Sequence, residues 1–269
     1  MQRYNPAELF TEVPLRLRLV CIAASILAGA TLPVSAQQPE VARAPDRGAH
    51  ARVPGIIVSP VPNLPFSGRD NIEWTRKLDD GSSLTQHLDA VVARDSQGRI
   101  YRETHSFVAA GSNQKSPLRE FIIYDREART RTACNVSSKR CEVSLYNPAT
   151  NRAEPPVGPS PDGKSVLARE SLGNSVVENL SVVGTRETLT TAAGAVGNTQ
   201  PLVSTREFWY SPELQINVSV TRQSPTEGTQ AIQLLEVSRS DPDPALFQIP
   251  AEYQIHAHRS TPDPSIGGR

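Results

Sequence analysis

The chain has 269 residues, 38% of them apolar, 21% charged and 5% aromatic, and its 28 basic and 28 acidic residues give a formal net charge of zero. That balance excludes the basic excess with which nucleic-acid binders meet phosphates and polybasic proteins hold a membrane surface. The 23 prolines and 16 glycines suit loops, turns and linkers better than helices, and the length allows one or two domains with a real core.

At the amino terminus, Arg16 and Arg18 precede an apolar run over 19–32, broken only by Ser25, Gly29 and Thr31. Pro33 and Val34-Ser35-Ala36 follow, then Gln37. A positive flank, an apolar core of this length and small residues before the cut predict a secretory signal peptide over 1–36, cleaved between Ala36 and Gln37. The run falls short of the roughly 18 residues needed to span a bilayer. Cys21 sits near the start of the run, whereas a lipid-attachment cysteine follows it, so a lipoprotein is not expected. Three basic and two acidic residues lie in the leader, which leaves the mature chain one negative charge in excess. No other segment is long or apolar enough to be a membrane span. The mature protein is expected in the periplasm or the medium.

Residues 37–69 carry six prolines with little periodicity and read as a proline-rich linker or arm. Strands are then expected at 83–93 and 99–109, joined by the turn Arg94-Asp95-Ser96-Gln97-Gly98-Arg99. A short apolar strand over 120–124 is turned back by Asp125-Arg126-Glu127 toward Cys134. Cys134 and Cys141 are the two cysteines outside the leader. An even pair in an exported protein predicts a disulfide, here clamping a hairpin end and contributing about 2.5 kcal/mol at most. A redox or metal site would need C-x-x-C spacing or nearby histidines.

A proline-rich loop over 148–163 interrupts the β-rich domain, which is expected to run over 70–255. Ser165 to Leu172 reads either as a strand or as a short helix capped by Ser165 and ended by Gly173. Further strands are expected at 176–190 and 202–210, joined through Gly194 and Gly197-Asn198. Ser211-Pro212 then turns the chain into 213–222. There Leu214, Ile216, Val218 and Val220 alternate with Gln215, Asn217, Ser219 and Thr221. The apolar set should point into the core and the polar set outward. A last strand covers 229–238, and 256–269 is a flexible tail. The class is mainly β, a single curved antiparallel sheet or incomplete barrel with a proline-rich N-terminal arm.

Several patterns are similar to those of exported bacterial β-rich proteins. They are Glu170-Ser171-Leu172-Gly173, Gly184-Thr185-Arg186-Glu187-Thr188, Ala193-Gly194-Ala195-Val196-Gly197-Asn198 and Trp209-Tyr210-Ser211-Pro212-Glu213-Leu214-Gln215. The segment 241–253 adds Asp-Pro, Leu-Phe, Pro and Tyr in that order. More distantly the chain resembles the periplasmic lipoprotein-carrier (LolA/LolB-like) superfamily, over 170–255 by pattern and 70–135 by strand layout. That resemblance implies a strongly curved sheet whose concave face holds an apolar ligand or a partner's lipid. Two departures stand out: carriers cover the sheet with helices, and no helix of adequate length is expected here. Asn179, which tolerates positive φ, takes the place of a glycine.

No specific catalytic or cofactor motif stands out, so no cofactor, metal or catalytic residue is assigned. His50 lies in the linker, and His256 and His258 belong to the tail, too mobile for a catalytic site. His87 and His105 fall on neighbouring strands near Asp89 and Glu103, where acid–base chemistry is conceivable. No serine occupies a Gly-x-Ser-x-Gly elbow, and surface histidines are the plainer account. The Gly194–Gly197 turn lacks a phosphate-loop pattern. Glu207 and Glu213 are read as partners of surface arginines such as Arg206 and Arg222 rather than as a hydrolase pair. Phe208 and Tyr210 should line one side of their strand and Trp209 the other. The expected function is non-enzymatic binding in the cell envelope, of lipid or a lipidated or envelope protein. The alternatives are an interaction or sensor scaffold without lipid, and, third, a hydrolase.

Overall fold

The computed structural model describes residues 55–146 and 155–257, all within one compact unit, Pro39–Arg269. The leader, the cleavage site at Ala36 and Gln37, most of the proline-rich arm, His50 and His258 lie outside the described residues. The strands are β1 (Phe66–Lys77), β2 (Ser83–Arg94), β3 (Ile100–His105), β4 (Val108–Ala109), β5 (Leu118–Asp125), β6 (Thr130–Asn135) and β7 (Arg140–Leu145). β8 (Gly158–Pro159) falls within the stretch 148–163 expected as a proline-rich loop, and after it come β9 (Ser165–Val177), β10 (Leu180–Thr191), β11 (Leu202–Ser211), β12 (Ile216–Ser224), β13 (Gly228–Ser238) and β14 (Gln254–Ala257). A 3-10 turn at Pro244–Phe247 is the one helical element among the described residues.

All fourteen strands belong to one curved sheet, not closed into a barrel, in the order β14-β7-β6-β5-β3-β2-β1-β13-β12-β11-β10-β9-β8, with β4 beside β2. Two meanders make it up. One runs outward from β1 to β7 and the other back inward from β8 to β13, so most neighbours are hairpins formed locally. The meanders meet in a single antiparallel seam, where Ser67 pairs with Ser238 and Thr75 with Thr229. The pairing is antiparallel throughout except for β14, which lies parallel to β7.

The stretch 165–172, which the sequence left open between strand and short helix, is strand, and Gly173 adopts φ 81° at a bulge where Gly184 faces Gly173 but Thr185 faces Ser171. The expected strand 176–190 begins inside a hairpin instead. β9 ends at Val177, and Glu178 and Asn179, at φ 49° and 58°, form the two-residue turn into β10. Positive φ at both positions matches the right-handed twist of the flanking strands.

The alternation in β12 is also broken. Tyr210 pairs with Asn217 and Trp209 with Ser219, so Val218 is an extra residue. Leu214, Ile216, Val218 and Val220 are buried as expected, but Asn217 is buried with them rather than facing out. A bulge shifts one strand by a residue, so a strict period of two no longer separates the faces.

Two cores form on the sheet. Val92 belongs to the larger, with Phe66, Ile72, Phe208, Val218 and Ile232. Its neighbour Ala93 belongs to the second, with Tyr101, Phe121, Cys134, Cys141 and Phe247. Consecutive strand residues face opposite sides, so each core uses a different face of β2. The 241–253 segment packs on the second core through Leu246, Phe247, Ile249 and Tyr253. Arg99 lies over the Phe247 ring and Lys139 over Tyr253, at 4.8 and 4.6 Å. Cys134 and Cys141 face each other across β6 and β7 and are bridged, with Cα atoms 4.0 Å apart. The bridge is fully buried and holds the end of this hairpin.

Arg94, at the end of β2, is completely buried. Its Nε donates to the Leu64 carbonyl at 2.8 Å, Nη1 to that of Ser59 at 2.9 Å and Nη2 to that of Leu214 at 2.7 Å. The guanidinium also lies 5.2 Å from the centre of the Phe66 ring. Burial pushes its pKa down to about 10, which leaves it charged at neutral pH. Replacing it by methionine strands three carbonyls at once, so Arg94→Met should lower stability by about 3–5 kcal/mol. Urea melts measure this, and a loss below about 1 kcal/mol would contradict the role given to the guanidinium.

Candidate functional site

Residues directly opposite one another in a sheet share a face, so the registers define rows that cross it. One row is apolar: Leu88, Ile72, Ile232, Val220 and Phe208 stand in line across β2, β1, β13, β12 and β11. Each is at most 5% exposed. Two residues along the strands, on the same face, lies a polar row: Gln86, Trp74, Gln230, Arg222, Arg206, Glu187 and Arg169. On the other side of the apolar row, Ala90, Asp70 and Leu234 are in register. The face is therefore an apolar stripe between a charged row and one buried carboxylate.

The charged row is built around Glu187, whose side chain is 3% exposed. Arg169 donates from Nε and Nη2 to Glu187 Oε1 at 2.9 and 2.6 Å, and its Nη2 also reaches the Pro155 carbonyl at 3.0 Å. Arg206 Nη2 bonds Glu187 Oε2 from the other side, and its guanidinium lies 4.9 Å from the Phe208 ring centre. One carboxylate thus bridges arginines from two flanking strands, using both oxygens. The hydrogen bonds and the opposite charges together offset the cost of burying these groups. Arg206 and Arg222 are accordingly not the surface residues expected: both are buried and stand opposite each other. Sequence reading missed this row, although Arg206 and Phe208 two residues apart on one strand are a sign that both share a face.

The other singled-out residues fall elsewhere. His87 lies opposite Glu73 on one side and Val108 on the other. His105 Nδ1 donates to the Ser116 carbonyl at 2.7 Å, and Nε2 faces Glu103 Oε2 at 2.8 Å. Tyr101 and the Val91 amide also bond Glu103, at 3.1 and 2.9 Å. Both imidazole nitrogens are thereby engaged with oxygens, which leaves neither placed to take a proton from a substrate. Asp89 instead joins Arg69 and Asn71, at 2.6 and 3.0 Å.

Glu207 pairs with Arg186, which also holds Glu170, and Glu213 pairs with Arg239. The two carboxylates thus belong to separate surface pairs. In the 194–198 turn, Gly194 donates to the Asn198 carbonyl, and the Asn198 side chain bonds the Val196 amide and the Ala192 and Gln200 carbonyls. Its amides serve the turn itself. Phe208 is buried, while Trp209 lies half-buried with its ring so close to Gly184 that a Cβ there would come within 2.5 Å. Among the described residues no cluster of three His, Cys, Asp or Glu side chains is placed to hold a metal ion.

No protein-family model matches the chain, and no curated protein matches its sequence. Among solved structures it is similar to an uncharacterised conserved protein from Thermus thermophilus, at 10% identity over 73% of this chain and 91% of that one, with a TM-score of 0.39. It is similar to a chain of the Pseudomonas aeruginosa MucA/MucB complex, at 12% identity over 71% of this chain and 58% of that one, with a TM-score of 0.36. A LolA superfamily protein from Nitrosomonas europaea matches at 10% identity over 70% of this chain and 91% of that one, with a TM-score of 0.26.

The charged row makes a quantitative expectation. Glu187→Ala leaves two arginines facing an empty position and should cost about 3–5 kcal/mol. Removing Arg206 as well should cost less than the two single changes added together, because the pair is coupled. Denaturant melts of the two single variants and the double variant close the cycle, and strict additivity would refute the coupling.

Proposed function

We propose that this protein is an exported, non-enzymatic binding protein of the bacterial cell envelope. Its ligand is apolar, or is the lipid of a lipidated partner, and is held on the inner face of the curved sheet. The observation that carries this reading is the in-register apolar stripe of Leu88, Ile72, Ile232, Val220 and Phe208. Such a face gains roughly 25 cal/mol for every Å² taken from water, whether a chain segment or a ligand covers it. No α-helix among the described residues takes that place. The arm residues Ile56 and Val58 pack into the same core, so a ligand reaching the stripe competes with them. The leader supports export, and no helix among the described residues is long and apolar enough to cross a membrane.

A second reading, an envelope interaction scaffold, has its own supporting observation. β9 is 13 residues long, yet β8 pairs with it only at Val166 and Leu167. Strand edges of this kind accept extended segments of a partner.

Expression in a Gram-negative host should yield soluble periplasmic protein whose first residue is Gln37. Native mass spectrometry of that protein should show lipid adducts, and Val220→Asp should abolish binding of a fluorescent fatty-acid probe. Val176→Asp, a change at an exposed position, should not. An intact leader in the membrane fraction would contradict export. Lipid-free protein that captures an envelope protein through β9 would favour the scaffold.

A further inference from the structure

Asp70, in β1, is a carboxylate almost without partners. It is 1% exposed, its Oδ2 accepts one hydrogen bond from the Ile56 amide at 2.9 Å, and its Oδ1 has none. Its in-register neighbours are Ala90 and Leu234, neither of which offers a side-chain donor. Among the described residues the charged group acting on it is Arg102 of β3, whose Nη2 stays 3.9 Å away. Gly55 closes the site from above: a Cβ there would fall 2.3 Å from Asp70 Oδ2 and 2.5 Å from the Arg102 guanidinium. The arm thus lies directly on the carboxyl group, and its Ile56 is buried in the larger core.

An ionised carboxylate so placed lacks the two or three donors that normally stabilise it. The protonated form removes the charge and keeps the bond from Ile56. The arm is fixed farther along, because Arg94 holds the carbonyls of Ser59 and Leu64. Water can therefore reach Asp70 by lifting residues 55–58 alone, with Ser59 as the hinge.

We propose that Asp70 is a proton-operated latch for the amino-terminal arm. With its carboxyl protonated the arm lies down at Ile56, and ionisation releases residues 55–58 and uncovers the end of the inner-face core. The latch stands whether or not that core binds lipid. Desolvation raises the Asp70 pKa from its ordinary 3.8 to about 7 in the closed arrangement, against the weaker pull of Arg102 and the Ile56 amide. Closure binds a proton that the open form releases, so its stability is full below the ordinary carboxylate range and is lost as pH rises through about 7.

Amide hydrogen exchange of the intact protein, corrected for the intrinsic pH dependence, reads the latch. Protection at Ile56 should fall roughly tenfold or more between pH 5.5 and 8.5, while the amides paired across β1 and β13 keep theirs. Asp70→Asn should hold Ile56 protected at both pH values, and Gly55→Ala should leave it unprotected at both. A carbon-detected NMR titration of the unaltered protein should find the Asp70 carboxyl titrating near neutrality, which keeps the test decisive if a variant fails to fold. Protection at Ile56 that does not change with pH, a change that persists in Asp70→Asn, or an Asp70 carboxyl titrating in the ordinary range would each overturn the proposal.

Discussion

The guanidinium of Arg94 reaches three parts of the chain that are far apart in sequence: the arm at Ser59 and Leu64, the strand that carries it, and the turn before β12 at Leu214. A planar fork with five donors can serve three carbonyls at fixed angles, which a lysine ammonium on a flexible stem does poorly. The carbonyls gain a charged donor, and the charge gains the neutralising ends of three peptide dipoles. Phe66 closes over the remaining face. The geometry of the larger core therefore depends on a cation that forms no ion pair with a carboxylate among its described bonds.

A sheet with separate cores on its two faces needs its second face covered by something other than helices. On β3, β5, β6 and β7 this is done by the closing segment, whose Leu246, Phe247, Ile249 and Tyr253 lie over Tyr101, Phe121 and the disulfide. That explains the order of residue types in 241–253 physically: apolar side chains at intervals dock on the sheet, and prolines keep the segment from continuing as a helix. The parallel pairing of β14 with β7 completes the cover, because the chain arrives at that edge from above rather than through a hairpin.

Much of the strand layout was legible because hairpins are local. The expected strands at 83–93, 202–210 and 229–238 correspond to Ser83–Arg94, Leu202–Ser211 and Gly228–Ser238. The places where reading failed each have a physical reason. The hairpin turn at Glu178-Asn179 contains no glycine, so apolar residues on either side read as one strand. Val218 is a bulge, and a bulge leaves no mark in composition. Arg94 looks like the first polar residue of a solvent turn, and Asp70 stands at the expected edge of the domain. For the face that carries the apolar stripe, alternation shows which side chains share a side but not which side is covered. Arg206 and Arg222 therefore read as surface residues although Val220, in the adjacent row, was placed inside.

The seam between β1 and β13 sets the order in which this molecule assembles. Every other antiparallel neighbour is brought together by a connection of modest length, so each meander can zip from its own turns. Ser67 and Ser238 must find each other across nearly the whole domain before the seam yields any of its hydrogen bonds. The entropy lost in closing so large a loop precedes the gain, which places the seam at the top of the kinetic barrier. Until it closes, β1 and β13 are both bare edges flanked by finished hairpins, able to pair with the corresponding edge of a second chain. The exchange of whole meanders between two molecules is the characteristic error this topology invites, and crowding during synthesis raises its frequency.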